Sequence, residues 1–458
     1  VTLLAANSAH ARDIASVLHP QTDARRHLEI GPRIMSRGSG VHVHDDSGRA
    51  FLEGAAGLWC ASLGFSSDRL GEVAKRAMSR LGYYQIFRHA SNEAAIDLSE
   101  KLLALAPVPM SKVLLQCSGS EANDTAVKLV WYHWNAQGRP QKRKIISRRK
   151  SYHGSTVASI CLTGKPEFHA GFGLPFEGFL YADCPDWYRD RRDGETQLQF
   201  SQRMADDLEA MILAEGPETI AAFWADAVQG AAGALLPPEG YFGKIQAVLR
   251  KHDILFVADE VICGFGRTGR MWGCDTYAIE PDILTCAKAL SAAMQPVSAV
   301  LVNDQVFQSV LTQSERIGRF VHGYTYAGHP VTSAVALETL RIYEEMDLLG
   351  HVAAMERVFL REFGALEEHP LVGQFTGTGL IGGLELVKDK VLREFFPAAA
   401  GVGRMVEEAA LERGLILRLV GDRVAFSPPL VINEEELVEM ARLMRLALDD
   451  VLAALPQA

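Results

Sequence analysis

No stretch of this chain approaches the roughly 20 consecutive apolar residues that span a bilayer, which argues against a membrane partner. Nor is there the surplus of Lys and Arg that grips phosphate backbones or anionic lipid. The 56 acidic residues outnumber 46 basic ones, for a formal charge of −10, so nucleic acid is not an expected partner. Cysteines are few, seven in 458 residues, and none are spaced C-x-x-C. An odd, scattered set supports neither a disulfide framework nor a zinc knuckle, and reduced thiols are the expectation. Repeats and low-complexity segments are absent. Residues 1–6, Val-Thr-Leu-Leu-Ala-Ala, are too short an apolar stretch for a signal peptide, and no basic residue precedes them. The chain therefore reads as cytoplasmic.

What is present is enough apolar material, 48% of residues, for a large core, and length enough for two or three domains. Through the middle, short apolar runs alternate with amphipathic stretches, the pattern of a parallel sheet covered by helices on both faces. Strands are predicted at residues 113–116, 145–147, 220–224, 254–258, 283–286 and 297–302. Helices are predicted at 121–135, 202–214 and 242–251. This block, 65–338, is the expected large domain. A small hairpin over 40–52 and short strands at 380–386, 415–419 and 424–427 suggest that residues 1–64 and 339–458 together form a smaller α+β lobe. The charged, proline-containing stretch 183–194 reads as an exposed loop.

Chemistry concentrates in a few segments. Leu255-Phe256-Val257-Ala258-Asp259-Glu260 is an apolar strand delivering two carboxylates at its C-terminal end, where open α/β sheets place ligands. A pyridinium nitrogen would partner Asp259 well, since a carboxylate beside it keeps the ring protonated and electron-withdrawing. A loop cap, or an ion pair with an arginine such as Arg267, explains the residue equally. Further on, Lys288 follows another buried-strand candidate among small and apolar residues. Desolvation there would lower its pKa and make it a nucleophile toward an aldehyde, although its stem could also pack while the ammonium reaches solvent. Cys117-Ser118-Gly119-Ser120-Glu121 opens a helix with capping-box spacing between Ser118 and Glu121. It is either an ordinary cap or a phosphate cradle. Tyr152-His153-Gly154 offers a ring face for stacking or for core packing. The loop 322–330 is rich in hydroxyl donors and flanked by glycine.

Together these segments closely resemble the class III aminotransferases of pyridoxal-phosphate (PLP) fold type I, the aspartate-aminotransferase-like α/β fold, and within them the omega-transaminase (amine:pyruvate) branch. The resemblance runs over nearly the whole chain through Gly119-Ser120-Glu121-Ala122-Asn123-Asp124-Thr125, Tyr152-His153-Gly154, Val228-Gln229-Gly230, Asp259-Glu260-Val261, Gly264-Phe265-Gly266-Arg267-Thr268-Gly269, Ala287-Lys288 and Thr325 before Gly328-His329-Pro330. It implies a mainly parallel large domain and a smaller lobe from both termini. It also implies that Lys288 holds PLP as a Schiff base and moves the substrate's proton, while Asp259 pairs with the pyridine nitrogen. Val261 and Tyr152 would bracket the ring, Gly119 and Ser120 would bind the phosphate, and His153 and Asp226 would lie against the cofactor. Thr325 would come from a neighbouring subunit, which makes a homodimer, or a tetramer built from it, the active form. Small-molecule amines and keto acids are the implied substrates, walled by Trp59, Phe87, Tyr152 and Ala231, with Arg418 binding a carboxylate.

The chain departs from the family pattern where Asp226-Ala227 replaces Glu-Pro and where Ala289 follows the lysine in place of glycine. These changes put substrate range in doubt and leave the Schiff-base residues intact. Another PLP reaction, racemisation or decarboxylation, is the alternative on the same scaffold. A nicotinamide oxidoreductase is a remote one. Residues 264–269 and 377–382 fit G-x-G-x-x-G, but neither has the strand-turn-helix context that motif needs. His42, His44, Asp45 and Asp46 could suggest a metal, but a solvated hairpin accounts for them, and no metal is expected.

Overall fold

The computed structural model describes residues 7–456; the apolar opening at 1–6 lies outside them. Its central sheet has seven strands in the spatial order Lys112–Gln116, Ser298–Val302, Ile283–Cys286, Leu255–Asp259, Ile220–Asp226, Lys144–Arg148 and Phe179–Ala182. All pair in parallel except Ser298–Val302, which runs antiparallel to both of its neighbours. Successive side chains of a strand point to opposite faces, and the two cores follow that rule. Phe223, Ala225, Phe256 and Ala258 join one cluster with Phe200, Leu208 and Ile245 from the helices Gln197–Glu215 and Tyr241–Lys251. Ala222, Trp224, Leu255 and Val257 join the other with Ala126, Val130 and Trp134 from the helix Gly119–Ala136. Covered on both faces, the middle strands can be apolar throughout, which is why they were readable.

The chain's two ends meet in a second sheet. Met35–Ser39, His42–Asp45 and Ala50–Glu53 form an antiparallel meander, and Leu415–Ile416 adds in parallel to the last of them, with Leu415 opposite Leu52. A third sheet holds Val372–Thr378, Ile381–Leu386, Arg423–Phe426 and Arg418–Val420. The single strand expected at 415–419 is thus two. Its halves satisfy their backbone groups in different sheets, and the chain crosses between them at Leu417. The strands Phe179–Ala182 and Val372–Thr378 were not anticipated. No helix among the described residues is long and apolar enough to cross a membrane.

The stretch 183–194 is only in part the exposed loop its composition suggested: Asp183, Asp190, Arg192, Asp193 and Gly194 are exposed, the rest is not. It contains the short helix Trp187–Asp190 and buries Cys184, Asp186 and Tyr188. Two of its charges are paired inward. Asp186 binds Lys150 at 2.8 Å and caps Arg189 N–H, while Arg189 reaches the buried Glu385. Charge density misled because Asp186 and Arg189 have specific inward partners.

Arg267 is 2% exposed and makes no ion pair with Asp259 or any other described acid. Its Nη1 donates to the carbonyls of Leu380 (2.9 Å) and Pro428 (2.6 Å), stitching the loop after the central strand to the C-terminal segments. Burial lowers its pKa to about 10, so it remains charged at neutral pH. Arg267→Met should leave two buried carbonyls unpaired and lower unfolding free energy by about 2–4 kcal/mol. Denaturant titration checks this; an unchanged midpoint would mean the carbonyls find other donors.

Candidate active site

Strand register brings the site together. Asp226 pairs with Asp259, and Asp259 with Thr285, so three parallel strands end side by side on one level. Lys288 follows directly, in a 3₁₀ turn covering Lys288–Ser291, with its backbone at φ 51°. A cavity of about 470 Å³ opens at this edge. Gly119, Ser120, Tyr152 and His153 line it, as do Asp226, Asp259, Val261 and Lys288. Thr325, Trp59, Phe87, Ala231 and Arg418 do not line it.

Asp259 is the best-satisfied group here. Its Oδ2 accepts hydrogen bonds from Asn123 Nδ2 (2.9 Å) and His153 Nδ1 (2.7 Å), and its Oδ1 accepts from Val261 N–H (3.0 Å). Burial opposes its charge, but His153, Asn123 and the Val261 N–H outweigh burial and hold the pKa below the ordinary carboxylate value. The neighbouring Glu260 has a different fate. It accepts only from Gly273 and Cys274 N–H, and burial raises its pKa to about 7. Of the two carboxylates at the strand end, one serves the cavity and the other caps the helix Gly273–Tyr277. Burial also lowers the pKa of Lys288 below that of an ordinary lysine, against the opposing pull of the Asp259 charge. An amine so placed is a competent nucleophile.

At the start of the helix Gly119–Ala136, Ser118 Oγ accepts from Glu121 N–H, but Glu121 reaches back to Cys117 N–H, one residue beyond the box that the spacing implied. The N–H groups of Gly119 and Ser120 keep no acceptor among the described residues. Unpaired donors at the positive end of an 18-residue helix suit a phosphate. Closeness matters here: a Cβ on Gly119 would sit 3.1 Å from Val261 Cγ1. At Gly154 (φ 143°) one would lie 2.2 Å from Ser159 Oγ, so only glycine lets the 152–154 loop meet the helix start. Tyr152 is half-buried, its hydroxyl 2.8 Å from Ser155 Oγ and its ring 5.5 Å from that of Phe168. Asp226 lines the cavity with one carboxylate oxygen held at 2.7 Å by the buried Arg148.

The remaining candidates are dispersed. Trp59 is buried in a loop with positive φ at Ala56, Gly57 and Trp59. Phe87 packs on Gly323, where an added Cβ would be 2.3 Å from its ring. Ala231 lies in the turn Gly230–Ala232, and Arg418, exposed, begins the half-buried strand Arg418–Val420 with no ion pair among the described residues. Thr325 is exposed, and its carbonyl accepts from Tyr83 Oη at 2.8 Å. The important omission from the sequence reading is Asn123. It is buried, donates to Asp259 and to the His153 carbonyl, and accepts from Thr285 Oγ1 at 2.9 Å. Its position four residues after Gly119, on the inward face of an otherwise small-residue helix turn, was the available signal.

Asn123→Ala should strand the Thr285 hydroxyl and remove one donor from Asp259, lowering stability by about 1–3 kcal/mol. Thermal unfolding reads this, and an unshifted transition would remove Asn123 from the account. The chain matches the family model described as Aminotransferase class-III over residues 23–448. It is 44% identical over 425 residues to gamma aminobutyrate transaminase 3, chloroplastic, of Solanum lycopersicum, covering 93% of this chain and 82% of that one. The omega transaminase of Pseudomonas jessenii, solved in complex with PMP, superposes with a TM-score of 0.96 at 49% identity, covering 98% and 99% of the two chains. A thermostable omega transaminase variant engineered for asymmetric synthesis of enantiopure bulky amines gives 0.96 at 48% identity, covering 98% and 100%. A carboxylate held ionised, a lysine of lowered pKa and free helix-terminal N–H groups around one cavity fit the PLP that this family uses, and the chain belongs to the class III aminotransferases.

Proposed function

We propose that this aminotransferase moves an amino group from a primary amine or omega-amino acid to a keto acid such as pyruvate, in ping-pong fashion. The observation that carries the reading is the pairing of an ionised Asp259 with Lys288 in one cavity. When bound, PLP supplies a carbonyl carbon for the amine and a ring that accepts the electron pair left by the departing proton. Lys288 Nζ would hold the cofactor at its carbonyl carbon and, once the incoming amine has displaced it, would carry the proton from the substrate carbon. Asp259 would keep the ring nitrogen protonated, with Asn123 and His153 fixing its carboxylate. The N–H groups of Gly119 and Ser120 would hold the phosphate, and Val261 and Tyr152 would lie against the ring.

Substrate recognition is assigned to Trp59, Phe87, Tyr152, Ala231 and Arg418. The exposed guanidinium of Arg418, without an ion pair among the described residues, could take a carboxylate. Two comparisons support this assignment: one relative is named for gamma aminobutyrate, and the bulky-amine variant is altered at a tryptophan, a phenylalanine and an arginine. The exposure of Thr325 fits its reaching the phosphate of a partner subunit in a homodimer. The same proposal includes a PLP-binding domain over 65–338, a lobe from 1–64 with 339–458, and a cytoplasmic setting in keeping with seven free thiols.

Amine alone should bleach the visible absorbance of the bound cofactor, and pyruvate should restore it. Carbon dioxide released in step with turnover, or racemised amino acid without keto acid, would replace transamination with the alternative reactions. Lys288→Ala should keep its fold by circular dichroism and lose turnover by at least about a thousandfold. Retained turnover would reject the assigned mechanism.

A further inference from the structure

Two short helices open the described chain, Ala9–Ser16 and Ala24–Ile30, and neither contributes a buried residue. Helices of eight and seven residues are marginal in water on propensity alone. Between them lie a carboxylate and two imidazoles. Asp13 Oδ1 is 2.8 Å from His19 Nε2 and 3.1 Å from His27 Nε2. The two rings are 4.2 Å apart between centroids and tilted by 40°. Side-chain exposure is 16% for Asp13, 31% for His19 and 11% for His27, so the cluster is sheltered without being sealed. Both histidines line a cleft of about 320 Å³ whose other walls include Ile14, Val17 and Leu28.

As a hydrogen-bonded set, this arrangement asks both imidazoles to keep their protons on Nε2 and to share one carboxylate oxygen. The same three atoms are also a ligand set. Two imidazole nitrogens and a carboxylate oxygen suit zinc and similar divalent cations, and their spacing approaches that of ligands around an ion bound at about 2.0–2.1 Å. The cleft, onto which both histidines open, provides an entry path. The hairpin pair His42 and His44, the natural place to look from sequence, lacks this convergence. Asp45 beside it is taken by Ser47 N–H, Ser47 Oγ and Arg49 N–H.

We propose that Asp13, His19 and His27 form a divalent transition-metal site, of the kind zinc occupies, which clasps the two N-terminal helices together. Three ligands from two helices and the turn between them would fix the segment's geometry where apolar packing does not.

Tag-free holoenzyme, stripped by chelator and titrated calorimetrically with zinc chloride, should take up one zinc per chain at this site. His19→Ala with His27→Ala should abolish that uptake, and Asp13→Asn, nearly isosteric, should weaken it by about tenfold or more. His42→Ala should bind as the parent does. Circular dichroism checks that each variant is folded, and zinc should slow amide exchange across residues 9–30 in the parent and in His42→Ala but not in the double variant. Uptake no stronger in the parent than in the double variant, or lost in His42→Ala, would overturn the proposal.

Discussion

A carboxylate removed from water either finds hydrogen-bond donors or takes up a proton, and this site depends on Asp259 finding them. Its three donors come from three parts of the chain: Asn123 from the helix behind the sheet, His153 from the loop after the strand Lys144–Arg148, two places away in the sheet, and Val261 N–H from its own strand end. Meeting the needs of one charge therefore fixes the relative positions of the elements that build the cavity. The helix that supplies Asn123 also presents the free N–H groups of Gly119 and Ser120, and the loop that supplies His153 also presents Tyr152. Glu260 makes the dependence visible. One residue away, with two backbone donors and no cationic neighbour, burial moves its pKa the other way, to about 7. Adjacent carboxylates with opposite environments can take different roles.

Much of this was legible because the relevant signals are local. An apolar strand ending in Asp259, a second one ending before Lys288, and a hydroxyl-rich helix start each declare themselves within a few residues. Register then does the rest, since parallel strands that end together bring their C-terminal residues to one edge. What stayed hidden depends on partners distant in sequence. Nothing near Asn123 announces that it bridges Asp259 and Thr285. Likewise, nothing near Leu417 reveals that the chain changes sheets there, because the two halves of that apolar run look alike until their pairing strands are known. The stretch 183–194 was misread in part for the same reason: its acids and arginines resemble a solvated face, and only the positions of Lys150 and Glu385 turn Asp186 and Arg189 inward.

The chemistry and the selectivity are built differently. Lys288 and Asp259 sit on the central sheet among buried neighbours, whereas the residues assigned to substrate lie on separate elements around it. Trp59 is in a loop held at positive φ, Phe87 rests on Gly323, and Arg418 stands at the start of a strand just past the sheet crossing. Such segments tolerate change without disturbing the strand register. On the proposed reading, the reaction class would follow from the core and the preferred amine from the periphery.

The central claim is that an ionised Asp259 keeps the cofactor's ring nitrogen protonated. Nitrogen-15 NMR of holoenzyme carrying PLP labelled at that nitrogen tests it directly. The account predicts a pyridinium resonance that persists well above neutral pH. A resonance of unprotonated pyridine at neutral pH would contradict it.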